Sequence, residues 1–139
     1  MGSTNHITTK WLGGMAFEST NTSGNSFKIE DAEESDGLRP KSLMLSALAG
    51  CSGMDISSLI KKMKLEVDSF KIDTIANMTD EHPKHYDAVK VEFHFYGSNL
   101  NEERLNRAVG LSVDKYCGVF EMFRQFAKME TEVVFHHKE

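Results

Sequence analysis

The sequence predicts an α+β domain in which an antiparallel sheet wraps around one long, central, apolar helix. From Pro40 onward the chain is apolar on nearly every side, through Leu43, Met44, Leu45, Ala47, Leu48, Met54, Ile56, Leu59, Ile60 and Met63. A helix of that kind needs partners all round: a sheet on one side and a second subunit on the other. Residues 88–96 alternate, with Val89, Val91, Phe93 and Phe95 on one face and Lys90, Glu92 and His94 on the other, as a half-buried strand does. Strand patterns fall before and after the helix instead of alternating with helices, and no Rossmann or P-loop glycine pattern is present, which separates α+β from α/β.

The elements follow in order. Residues 6–12 and 15–19 read as a hairpin about Gly13-Gly14, and residues 26–30 follow the turn sequence NTSGN as a third strand. Residues 30–37, EDAEESDG, read as a solvated acidic loop. Pro40 suits the first turn of the helix because its missing N–H costs nothing there. Residues 67–78 are a weaker strand candidate, and the link DEHPKH joins them to the alternating strand as a hairpin. Asn99 or Asn101 caps the next helix, along which Leu105, Val109, Val113 and then Cys117 recur every four residues and share one face. Gly118 is expected to interrupt that helix. An amphipathic piece with Val119, Phe120, Met122, Phe123 and Phe126 follows, and residues 132–137 read as the closing strand.

Composition bounds the function. At 139 residues the chain makes one domain, residues 1–139, burying roughly 68% of its unfolded surface. Sixteen Lys and Arg against 21 Asp and Glu give a net charge of −5, with no basic stripe to hold a phosphate backbone, so nucleic acid is not an expected partner. Residues 42–60 hold five serines, two glycines and Asp55, which argues against a membrane span. No secretory pattern opens the chain, so a reducing cytoplasm is expected and a stable structural disulfide is not.

The strongest chemical candidates are Cys51, inside the small-residue run SALAGCSGM, and Cys117, at the helix break in DKYCGVF. Thiol chemistry needs a thiolate, which apolar burial opposes. Cys51 lies about three turns into its helix, beyond the favourable field of the N-terminus, and Asp55 one turn on opposes a thiolate. Read from these facts alone, both cysteines are better explained as small packing residues. His82 and His85, and the doublet His136-His137, lack a clear third metal ligand, so no metal is expected. His94 is a candidate base for either cysteine, against a cross-strand polar role beside Glu92 and Lys90. The methionines read as core filling.

The runs RPKSLMLSALAGCSGMDI (residues 39–56), EHP (81–83) and SVDKYCGVFEMF (112–123) resemble the OsmC/Ohr family, the osmotically inducible and organic hydroperoxide resistance proteins, and most resemble its OsmC-like branch. The resemblance runs from KWLGGMAF near the N-terminus to the last strand. It implies an intertwined homodimer with its active sites near the subunit interface. It implies that Cys51 attacks a hydroperoxide to give a sulfenic acid, that Cys117 resolves it to a disulfide, and that an external dithiol, often a lipoyl group, resets the pair, with no bound cofactor. In the family an arginine from the N-terminal hairpin activates the first cysteine, held by a glutamate about ten residues before it. Here no arginine precedes Arg39 and the glutamate position holds Lys41 or Ser42, so Lys10 and Arg39 are the candidate activating cations. The alternative is a non-catalytic stress-response dimer that binds an apolar small molecule at its interface.

Overall fold

A computed structural model describes residues 2–31 and 35–139 of the chain. They fall into two compact units that divide between Met44 and Leu45. The acidic loop expected over residues 30–37 lies in part, at residues 32–34, outside the described residues.

The first unit is a three-stranded antiparallel sheet of β1 (Ile7–Gly13), β2 (Ala16–Asn21) and β3 (Ser26–Glu30), in that order. The Gly13-Gly14 turn forms as expected because both residues take positive φ, 104° and 57°, open to glycine at no steric cost. Trp11 closes this end by donating its indole N–H to the Gly14 carbonyl at 2.9 Å. At the second turn the Asn21 side chain accepts from the backbone N–H of Ser23 and of Asn25, an Asx-type turn written in the sequence NTSGN. The sheet buries little, and Ile7, Trp11, Leu12 and Met15 are all more than half exposed.

Helix α1 (Pro40–Lys62) starts at the expected proline. By length and composition it does meet the requirement for a membrane span, contrary to the argument from its serines. What marks it as a core helix is Leu48, Ser52 and Ile56, four residues apart and fully buried in the second unit. There it packs with β4 (Ser69–Met78), β5 (Tyr86–Gly97) and β6 (Lys128–His137). The face of β5 predicted to be buried is buried: Val91, Phe93 and Phe95 at 0% exposure and Val89 at 2%.

The N-terminal strands are antiparallel throughout, as expected, and the antiparallel sheet expected around the helix is corrected only at the last strand. β4 pairs antiparallel with β5, but β6 pairs parallel with it, from Ala88 opposite Lys128 to Gly97 opposite His137. The helical crossover between β5 and β6 returns the chain to the end at which β5 began, which a parallel neighbour requires. β6 also starts four residues before the predicted boundary, because Lys128–Thr131 carry no apolar alternation and are held by backbone ladder bonds.

The crossover contains α2 (Glu102–Leu111), a π-helical turn (Ser112–Tyr116) and α3 (Gly118–Arg124). Asn101, not Asn99, caps α2, accepting from the Arg104 N–H at 3.1 Å. The helix break falls at Cys117, one residue before the expected glycine. The π turn ends in a bond from the Cys117 N–H to the Ser112 carbonyl at 2.7 Å, and Cys117 then turns to extended backbone to cap α3. The predicted stripe survives the break, with Leu105, Val109, Val113 and Cys117 all buried.

Candidate functional site

Two elements of the second unit bring the cysteines together. α1 presents Cys51 and, one turn later, Asp55 on a shared face, and the break before α3 turns Cys117 toward them. The two sulfurs and a carboxylate oxygen of Asp55 all lie within 4.8 Å of one another. Both cysteines are free thiols, Cys51 half-buried and Cys117 buried.

Cys117 is held from two sides. Its sulfur accepts from the Ser52 hydroxyl at 3.4 Å and from the Phe120 N–H, an otherwise unpartnered donor of the first turn of α3, at 3.3 Å. Burial pushes the Cys117 thiol above its ordinary value and the neighbouring Cys51 sulfur raises it further, against the lowering effect of the Ser52 and Phe120 donors. Cys117 is thus a thiol kept protonated beside Cys51. Ser112 donates to the Asp55 carboxylate at 3.0 Å, which orients that carboxylate. Asp55 also reaches a cleft of about 340 Å³ whose other lining residues are Ser58, Leu59, Lys62 and Tyr116.

Ser52, Ser112 and the Phe120 N–H were not singled out from the sequence. Ser52 left a legible signal, since it falls four residues from both Leu48 and Ile56 on what became the buried stripe; a polar residue there needs a partner. Ser112 left the same kind of signal, four residues after Ala108 and seven after Leu105 on the buried stripe of α2.

The other candidates fall on other elements of the chain. Lys10 sits on the exposed β1 opposite Glu18 in the first unit. Arg39, also in the first unit, is engaged by Asp31 at 2.7 Å. His94 faces away from the core and is not brought to the cysteines: its Nε2 meets Glu92 at 3.3 Å and its Nδ1 meets His136 at 3.0 Å, the cross-strand polar role. His136 stacks on Tyr96, and its neighbour His137 points the other way to Glu102. His85 turns its Nδ1 to the Pro83 carbonyl in the exposed hairpin link.

Comparison with known proteins agrees with this architecture. The family model for OsmC-like protein matches residues 32–132. Protein YhfA of Escherichia coli K12 is 27% identical over 110 residues, which cover 79% of this chain and 82% of that protein. A hypothetical protein from Aquifex aeolicus VF5, solved by crystallography, superposes with a TM-score of 0.88 at 25% identity, covering 99% of this chain and all of that one. The organic hydroperoxide resistance protein OhrB of Bacillus subtilis superposes at 0.66 with 19% identity, covering 94% of this chain and 98% of that one. With the family model spanning most of the sequence and including both cysteines, the chain belongs to the OsmC-like protein family.

Proposed function

We propose that the chain is a dithiol peroxidase that reduces organic hydroperoxides or hydrogen peroxide. The observation that carries this reading is the pair of free sulfurs within 4.8 Å, the more exposed belonging to Cys51 and the buried, protonated one to Cys117. The Cys51 thiolate attacks the peroxide oxygen, the O–O bond breaks, and the leaving alkoxide takes a proton to depart as alcohol, leaving Cys51 as a sulfenic acid. The Cys117 sulfur then displaces hydroxide from it. An S–S bond forms, and the hydroxide leaves as water with the proton that Cys117 gives up. The Ser52 hydroxyl and the Phe120 N–H stabilise the negative charge that develops on Cys117 in this step. An external dithiol of lipoyl type, needing no bound cofactor, restores both thiols by exchange. The fold shared with a protein named for organic hydroperoxide resistance supports the substrate class. Two free thiols suit a reducing cytoplasm.

One equivalent of an organic hydroperoxide added to reduced protein is expected to remove two hydrogens from the intact mass within minutes, with a peptide map linking Cys51 to Cys117. An unchanged mass would overturn the reading.

The working unit we propose is a homodimer. Only 17% of the most apolar stretch of α1 is buried within one chain, and Met54 stands 77% exposed on it. A second copy removes that surface from water. Light scattering at micromolar protein is expected to return twice the chain mass of 15.7 kDa, and a monomer would contradict it.

A further inference from the structure

We propose that the reduced site is also a binding site for a thiophilic divalent cation of the zinc type, held by Cys51, Asp55 and Cys117. The three donor atoms lie within 4.8 Å of one another. Tetrahedral zinc, with bonds of about 2.3 Å to sulfur and 2.0–2.2 Å to oxygen, sets its ligands roughly 3.5–3.8 Å apart. Side-chain rotations that move each donor by an ångström or less therefore close the site. Two sulfurs and one carboxylate oxygen are a donor set that selects zinc over magnesium or calcium, and three protein ligands leave a fourth position for water.

The surroundings are those of a supported metal site. Ser112 donates to the Asp55 carboxylate at 3.0 Å and Ser52 to the Cys117 sulfur at 3.4 Å, so two of the three ligands are already oriented by outer hydrogen bonds. Cys51 and Asp55 are one turn apart on a single helix, a rigid bidentate half-site, and Cys117 comes from the facing element. Asp55 opens to the cleft lined also by Ser58, Lys62 and Tyr116, so one of the three ligands is reachable from solvent.

Once both thiols lose their protons, three anions this close would repel one another, and a bound dication answers that repulsion where neither thiol has a lysine or arginine among its hydrogen-bond partners within the described residues. Binding balances as two thiols plus M²⁺ giving the bis-thiolate complex and two released protons. Oxidation of the pair to a disulfide removes both thiolates, so the cation is held only by reduced protein. The site requires only the reduced dithiol and does not depend on peroxide chemistry.

The test uses the full-length, chelator-stripped, reduced chain with no peroxide present. One equivalent of zinc is expected to slow alkylation of both cysteines at least ten-fold. Cobalt(II) is expected to bind one to one with a thiolate-to-metal charge-transfer band, a band that the second cluster of Asp73, Glu92 and His94 cannot produce. Asp55→Asn, verified as folded by circular dichroism, is expected to weaken binding by ten-fold or more, and Ser112→Ala to weaken it by a smaller factor. Alkylation unaffected by zinc, a cobalt complex without the charge-transfer band, or unchanged affinity in Asp55→Asn would each overturn the proposal. Peroxide-driven disulfide formation, measured separately on metal-free protein, can fail without touching this result.

Discussion

Cys117→Ser is expected to halt peroxide oxidation at a sulfenic acid on Cys51, trapped by a dimedone-type reagent as a single adduct on that residue. Cys51→Ser is expected to leave Cys117 as a thiol and to slow peroxide consumption roughly 100-fold or more. The asymmetry follows from the surroundings of the two sulfurs. Cys117 is 4% exposed and capped by donors from Ser52 and Phe120, and its burial holds it protonated; a peroxide cannot reach it before Cys51. Cys51 is only half-buried, so its sulfur is the more accessible of the two. An adduct found on Cys117 in the Cys51→Ser protein, formed as fast as on Cys51, would reverse the assignment. Quantification of the trapped adduct by mass spectrometry over a time course decides between the two.

Phe93→Ala is expected to cost about 3–5 kcal/mol, the usual penalty for emptying a buried aromatic site. Phe93 has 0% exposure at the centre of the mixed sheet, with Ile72 opposite it on β4 and Val133 on β6. Ladder bonds hold its neighbours on both sides, so the sheet cannot collapse into the space and the cavity term is paid nearly in full. Against a total of about 5–15 kcal/mol for an ordinary domain, that loss is a large fraction of the whole. Urea unfolding is expected to show a lowered midpoint with little change in slope. A loss below about 1 kcal/mol would mean that Phe93 is not central to the core.

Much of this fold is legible in local chemistry. Glycines at the first turn, the Asx turn at Asn21, Pro40 at the head of α1 and the two-residue alternation of β5 each act through backbone sterics or one buried face, and neither depends on distant parts of the chain. The pairing partner and direction of β6 were not legible. Its polar opening residues are ordered by the ladder with β5, and the parallel direction comes from how the crossover returns, which no residue pattern within β6 encodes. The helix break shows the same division. A glycine beside Cys117 announced a discontinuity, but the π turn that moves it to the cysteine is not written in the four-residue spacing of the apolar positions.

The site divides in the same way. The sequence by itself determined the two cysteines, their motifs and the carboxylate one helical turn from Cys51, because residue type and i, i+4 spacing are local facts. Only the tertiary structure decided that the sulfurs meet across 65 intervening positions, that Ser52 and Ser112 support them, and that His94 turns away. Those outcomes come from packing α1 and the crossover against one face of a sheet, which fixes distances that no local pattern contains.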